Sequence, residues 1–198
     1  MTGRLMSRDN TAIESEDALI ERVRRGDEAA FEVLFLRHYG QVYRVLYNLV
    51  GTREEAEDLA QEAFLALYHH PPAPGGGAAL IGWLCRVALN RGYNALRGQR
   101  RAQHRIERLA EPPEQIDPHG EALRAEERAR VRAAIAALPE RQGRLLLLRY
   151  AGLSYGEIAA ALDVTATSVG TLLARAERAF LAVYEREETG VKSQETED

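Results

Sequence analysis

The fold is decided by residues 154–178, SYGEIAAALDVTATSVGTLLARAER, which lie near the end of this 198-residue chain. Ser154 and Glu157 form a capping-box pattern, so a helix is expected to begin at Ser154. Asp163 lies in a short turn after this helix, and aspartate tolerates the left-handed backbone conformation better than most residues. A second helix with apolar residues at helical spacing follows the turn. Two short helices joined in this way predict a helix-turn-helix.

DNA binding is the function that this motif favours. The second helix would turn a polar face outward, where hydroxyl groups can contact bases or phosphates and arginine can contact either. The alternative is an ordinary helical hairpin with a solvated polar face, which the context of the motif makes the weaker interpretation. The predicted DNA-binding residues are Thr165, Thr167, Ser168, Thr171, Arg175 and Arg178.

The rest of the chain has the apolar spacing of helices and no alternation typical of strands, which predicts an all-α fold. Prolines and a glycine among acids, from Pro112 to Gly120, mark the best domain boundary. The polar C-terminal tail is expected to be disordered. We therefore predict two small helical domains at 17–108 and 123–188, joined by a flexible linker at 109–122 and followed by a disordered tail at 189–198.

Charge is unevenly distributed along the chain, although the formal net charge is −4. Residues 86–108 contain seven arginines and one acid, whereas residues 53–62 contain five acids and one base. A chain with net negative charge is a poor free-standing DNA binder, because non-specific affinity for phosphates needs a basic surface. The segregation instead indicates separate surfaces for separate partners.

The basic segment is predicted to be a helix whose arginines contact nucleic acid. Aromatic residues such as Trp83 lie beside the basic positions, and this combination suits melted DNA, where bases stack and phosphates pair with arginine. For Trp83 itself, burial in the core is the favoured interpretation. The predicted DNA-binding residues here are Arg86, Asn90, Arg97, Arg100 and Arg101.

The acidic segment is predicted to be a helix with two different faces, and Thr52 and Glu55 form a capping-box pattern at its start. Paired carboxylates can serve in a metal or acid–base site, but no histidine or cysteine follows at ligand spacing. We therefore expect no catalytic residue, metal or cofactor, and favour a solvated or protein-docking face. Leu59, Ala63, Phe64 and Leu67 line the apolar side, and Asp58, Gln61, Glu62 and Leu65 line the other.

Cysteine content and hydropathy bear on location. The single cysteine, Cys85, excludes an intrachain disulfide and fits a reducing, cytoplasmic environment. No apolar stretch is long enough to cross a membrane, so membrane insertion is not expected. A phosphate loop and a nucleophile–base pair are also missing from the sequence, which leaves an enzyme without support.

Three stretches together resemble the extracytoplasmic-function (ECF) subgroup of bacterial sigma-70 family sigma factors. EAEDLAQEAF at 55–64 resembles the family's polymerase-binding helix in region two, and WLCRVALN at 83–90, continuing to Arg101, resembles its −10-element helix. LPERQ at 138–142, followed by GLSY at 152–155, resembles its region four. The resemblance covers about residues 17 to 183, and three motifs in order are far more specific than any one alone.

The resemblance implies a mechanism for transcription initiation. Region two would dock on RNA polymerase core and capture an unpaired base of the −10 element, while region four would occupy the −35 major groove of promoter DNA. An anti-sigma factor commonly occludes one or both surfaces in this family. The polymerase-binding residues that the resemblance implies are Asp58, Leu59, Gln61, Glu62, Phe64 and Leu65.

The sequence departs from the family pattern at several positions. Gly170 and Leu172 stand where basic residues are usual, so −35 binding is expected to be weaker than is typical. Leu89 and Asn94 also replace a usual arginine and aspartate.

Two other functions compete with a sigma factor. The first is a helix-turn-helix regulator that binds an operator as a dimer without polymerase, which the separate acidic and basic helices argue against. The second is a helical adaptor that has lost DNA binding, which the weakly basic second helix keeps open. The predicted function is a non-enzymatic sigma factor that binds RNA polymerase core, recognises and melts promoter DNA, and so directs promoter-specific initiation.

Overall fold

A computed structural model describes residues 14–73, 79–106 and 122–194 of the chain. Within these residues the secondary structure is helical and contains no strand, which confirms the all-α prediction. The predicted linker at 109–122 lies outside the described residues, except for Ala122, which begins a helix. The helices are α1 Glu16–Arg24, α2 Glu28–Val50, α3 Arg53–His69, α4 Ala79–Ile106, α5 Ala122–Ala137, α6 Glu140–Tyr150, α7 Tyr155–Leu162 and α8 Ala166–Gln194.

Helices α1–α4 form the N-terminal domain, whose breaks follow local sequence signals. Asp27 caps α2, because its side chain accepts hydrogen bonds from the N–H groups of Ala29 and Ala30. Gly51 ends α2 in the left-handed conformation, at φ 89°. The capping box expected at Thr52 is not formed, because the Thr52 side chain makes no cap hydrogen bond and the Glu55 carboxylate accepts one from Gln99 of α4.

The core of the N-terminal domain lies where α2, α3 and α4 pack together. The apolar sides predicted for α3 and α4 both face inward, with Phe64, Leu67 and Leu84 fully buried. Trp83 is half-buried and packs against this core, as favoured from the sequence. Burying these side chains fixes which face of each helix points outward, and therefore which polar residues a partner can reach.

Helices α5–α8 form the C-terminal domain, and α7 and α8 make the predicted helix-turn-helix. The Ser154 side chain accepts from the Glu157 N–H, and the Glu157 carboxylate accepts from the Ser154 N–H, so this capping box is confirmed. Asp163 takes the left-handed conformation, at φ 55°. The chain bends by 87° between α7 and α8. No single helix in the described part of the chain is long and apolar enough to cross a membrane, and only α7 and α8 taken together reach that length and composition.

Helix α8 continues to Gln194, beyond the boundary predicted at residue 188. The prediction of disorder for 189–194 therefore differs from the structure, while residues 195–198 lie outside the described part of the chain.

Candidate polymerase and nucleic-acid interfaces

The acidic side of α3 is exposed as a continuous surface. Asp58, Gln61, Glu62 and Leu65, here called the docking face, all lie on the solvent side, and Leu65 is 53% exposed. The Glu62 carboxylate also accepts a hydrogen bond from Arg91 of α4 at 2.6 Å. Leu59 and Phe64, predicted with this group, are buried behind it. Four of the six predicted residues are therefore within reach of a partner, and two support them from the core.

The residues of α4 that the sequence predicted to contact DNA share one side of that helix but differ in what they contact. We call Arg86, Asn90, Arg97, Arg100 and Arg101 the −10 ridge. Arg86 is half-buried, and its guanidinium donates to the backbone carbonyls of Ala160 and, at 2.9 Å, Ala161. Both carbonyls lie at the C-terminal end of α7, so the C-terminal domain covers this end of the ridge.

Two further members of the −10 ridge contact helix α6. The side-chain oxygen of Asn90 accepts a hydrogen bond from Arg144 at 2.8 Å. The Arg97 guanidinium donates to Glu140 at 2.8 Å, and Glu140 also accepts from Arg144 at 2.7 Å. These four side chains form one polar network across the boundary between the domains.

Arg100 and Arg101 complete the −10 ridge, and both are exposed. Arg101 donates to the carbonyl of Arg97 on its own helix, at 3.1 Å. Arg86, Asn90 and Arg97 therefore hydrogen-bond to the C-terminal domain, although Asn90 and Arg97 are exposed, whereas Arg100 and Arg101 lie at the exposed C-terminal end of the ridge.

Tyr93 belongs to the same boundary, and reasoning from the sequence missed it. The Arg144 guanidinium stacks on its ring at 4.9 Å from the centroid. Burial raises the pKa of Tyr93 to about 12. Nothing local in the sequence around Tyr93 could reveal a partner from the other domain.

The polar face of α8 is open to solvent. We call Thr165, Thr167, Ser168, Thr171, Arg175 and Arg178 the recognition face, and all are exposed except Ser168, which is half-buried. The Thr165 hydroxyl donates a hydrogen bond to the Ser168 hydroxyl, which in turn donates to the Thr165 carbonyl at 2.8 Å. These bonds fix the start of α8. The side-chain hydrogen bonds of Thr165, Ser168 and Arg178 stay within this part of the helix-turn-helix.

The two positions without the usual basic residue have different surroundings. Leu172 is half-buried and packs against the core. Gly170 lies beside Tyr155, and a Cβ atom there would meet the ring at an ordinary 3.5 Å. Packing within the chain therefore accounts for an apolar residue at 172 but does not require glycine at 170.

Comparison with known proteins gives the family. Residues 34–102 match the family described as Sigma-70 region 2, and residues 128–180 match Sigma-70, region 4. The chain is 34% identical to the RNA polymerase sigma-H factor of Pseudomonas aeruginosa over 86% of this chain and 92% of that protein. It is also 34% identical to the ECF RNA polymerase sigma-E factor of Haemophilus influenzae, over 83% and 91% respectively.

A solved structure shares the fold. The complex of the sigma factor RpoE with the anti-sigma factor NepR from Bartonella quintana aligns with 78% of this chain and 96% of that one, at 19% identity and a TM-score of 0.55. The match of both sigma-70 regions, in order, agrees with two helical domains that each present a distinct polar surface. The chain belongs to the sigma-70 family of RNA polymerase sigma factors, in its ECF group.

Proposed function

We propose that this sigma factor binds RNA polymerase core through the docking face and directs it to promoters through the −10 ridge and the recognition face. It acts in the cytoplasm as a binding subunit, without a catalytic residue or cofactor of its own. The observation that carries the proposal is the docking face on α3, where the apolar Leu65 is exposed on the same side as Asp58 and Glu62.

The docking face has the composition of a protein interface. Asp58 and Glu62 are one helical turn apart and can meet basic groups of a partner together. Leu65 lies on the same side and is exposed, so it can supply apolar contact area to the same partner. Leu59 and Phe64 are buried beneath and keep the helix face rigid.

Promoter contact is divided between the two domains. The −10 ridge offers arginines that pair with phosphates of melted DNA. The recognition face offers hydroxyls and two arginines to the −35 major groove. Each contact is weak alone, and their attachment to one polymerase raises the effective concentration of the second once the first has formed. A net negative chain can therefore direct promoter binding.

We also propose an anti-sigma factor as a partner. The fold is shared with a sigma factor solved in complex with the anti-sigma factor NepR. The two domains of this chain leave the docking face exposed, and a protein that covered it would prevent assembly with polymerase.

The docking face is tested by Asp58→Lys. Reversing a charge at a protein interface costs about 2–5 kcal/mol, which corresponds to at least about a thirtyfold loss of affinity. Core binding is measured by fluorescence anisotropy of the labelled full chain, and circular dichroism checks that helical content is unchanged. Glu126→Lys is the matched control, because Glu126 is an exposed acid on α5 and the change in charge is identical. Wild-type affinity of Asp58→Lys for core would contradict the assignment.

A further inference from the structure

A cavity of about 230 Å³ lies between α4, α5 and the start of α6. Its lining contains three arginines, Arg97, Arg100 and Arg132, and one acid, Glu140, and therefore carries a net charge of +2. We propose that this cavity is a binding site for a small organic phosphate. Arg100 and Arg132 hold the dianionic phosphate group, and the apolar body of the ligand fills the rest of the cavity.

Arg132 of α5 is the side chain that most directly calls for an anion. It is half-buried, and its guanidinium makes no hydrogen bond or ion pair within the described residues. Taking a charge partly out of water without a partner costs free energy, which a bound anion would recover. Gly51 at the end of α2 leaves room for this guanidinium, since a Cβ there would lie 2.7 Å from the Arg132 Cζ. The guanidinium therefore packs directly against the α2 backbone, which fixes its position in the cavity wall.

The other charged groups of the lining leave Arg100 available as well. Arg97 donates to Glu140 at 2.8 Å, and Glu140 also accepts from Arg144 at 2.7 Å, so two arginines already share the one acid. Arg100 is exposed and, like Arg132, has no hydrogen bond or ion pair in the part of the chain that the structure describes. Two guanidinium groups on different helices match a phosphate dianion in charge, and each can donate two parallel hydrogen bonds to its oxygens.

The remaining walls of the cavity are apolar. Leu49, Ile135 and Leu138 are each at most 8% exposed, and Leu96 is half-buried. Ligand sites typically combine such walls with a few polar groups that fix the orientation of the ligand. A ligand with an apolar body would displace water from these leucines and the isoleucine, whereas an inorganic anion would not. The lining therefore favours an organic phosphate over free phosphate.

The site goes beyond the proposed function and can be tested apart from it. Arg97 and Arg100 also belong to the −10 ridge, so a bound organic phosphate and DNA would share these two arginines. Arg132 lies outside the docking face, the −10 ridge and the recognition face. Substitution of Arg132 therefore reports on the cavity alone.

Isothermal titration calorimetry of the full chain with phenyl phosphate, at low salt and pH 8, measures the site. At this pH the phosphate group is a dianion, because its second pKa is about 6. Arg132→Ala should weaken binding at least about tenfold, a change of about 1.4 kcal/mol, since it removes a charge-assisted pair of hydrogen bonds. Arg132→Lys keeps the charge but not the planar fork, so its affinity should lie between those of Arg132→Ala and the wild type.

Arg128→Ala is the matched control, because Arg128 is an exposed arginine of the same helix that does not line this cavity. This variant should keep the wild-type affinity, and circular dichroism should show the same helical content in all variants. An equal loss of affinity in Arg128→Ala and Arg132→Ala would overturn the site, because general positive charge would then explain binding. Undiminished binding by Arg132→Ala, or no binding by the wild type, would also overturn it.

Two further ligands test the chemical class. Inorganic phosphate lacks the apolar body and benzoate carries only one negative charge, so the wild type should bind both more weakly than phenyl phosphate. Inorganic phosphate bound as tightly as phenyl phosphate would contradict the role of the apolar walls. Benzoate bound as tightly would contradict the selection of a dianion by Arg100 and Arg132.

Discussion

The two proposed DNA surfaces of this sigma factor differ in the contacts that they make within the chain. In the −10 ridge, Arg86, Asn90 and Arg97 hydrogen-bond to the C-terminal domain, and Arg86 is half-buried there. The recognition face is open, and its side-chain hydrogen bonds stay within the helix-turn-helix. Both surfaces carry polar residues at helical spacing, and the sequence predicted them by the same reasoning. The difference teaches that composition and spacing predict which face is polar, whereas contacts between distant segments decide whether that face is available.

The largest expected effect comes from the uncovered end of the −10 ridge. Arg100→Ala with Arg101→Ala should weaken open-complex formation by the holoenzyme more than tenfold at moderate salt. The slope of log affinity against log salt should become shallower by about 0.7 for each phosphate of single-stranded DNA that an arginine no longer neutralises. Gel-shift titrations at several salt concentrations measure both quantities.

The control for this pair is Arg25→Ala with Arg53→Ala, two exposed arginines of the same domain outside α4. That variant should retain the wild-type slope. If both double variants changed the salt slope equally, the arginines of the −10 ridge would contribute only general positive charge. That result would contradict a specific DNA contact at the ridge.

A moderate, pH-dependent effect on the free energy of unfolding is expected at His38. His38 of α2 is buried, with its Nε2 3.0 Å from the Glu16 carboxylate, while Arg37 and Glu157 of α7 also act on it. Burial lowers the pKa of His38 below its ordinary 6.5, and this outweighs the opposing effect of Glu16. The unfolded chain therefore binds a proton more readily, so the free energy of unfolding should fall as the pH decreases through about 6.5.

Urea denaturation between pH 5 and pH 8 measures this dependence. His38→Gln removes the titrating group, and the pH dependence should become flatter below about pH 6.5. If the free energy of unfolding depended on pH equally in His38→Gln and the wild type, groups other than His38 would cause the pH dependence.

The smallest effect is expected on the open surface, at Gly170. Gly170→Lys and Gly170→Ala should both raise the free energy of unfolding by about 0.5–1 kcal/mol, because glycine is unfavourable inside a helix and a Cβ has room beside Tyr155. Only lysine should also tighten −35 binding, by a few-fold at low salt and less at high salt, because it acts on phosphate. Weaker DNA binding by lysine than by alanine would mean that DNA or another helix approaches residue 170 closely.

Local signals made much of the fold predictable from the sequence. The capping box at Ser154 and the left-handed Asp163 define the helix-turn-helix within a few residues, and both are present. The docking face follows from periodicity, because a buried stripe containing Phe64 forces the residues between to point outward.

The features that the sequence did not predict depend on distant partners. Arg86 contacts a carbonyl 75 residues away, and no local pattern encodes that distance. Thr52 has the capping pattern without the cap hydrogen bond, and the Glu55 carboxylate accepts instead from Gln99 on another helix. Tyr93 likewise packs under an arginine of the other domain. Tertiary contacts override local preference at each of these residues.

The proposed contact of the −10 ridge and the recognition face with one promoter is tested most directly by the distance between the domains in three states of the same spin-labelled chain. With labels at Glu32→Cys and Glu177→Cys, the free chain should give a short, narrow distribution. Binding to core polymerase and then to promoter DNA should replace it with a longer, equally defined one, because both DNA surfaces must be exposed together. A short distance that persists in the promoter complex would contradict the proposed role of the −10 ridge, since Arg86, Asn90 and Arg97 would then still be bonded to the C-terminal domain while transcription begins.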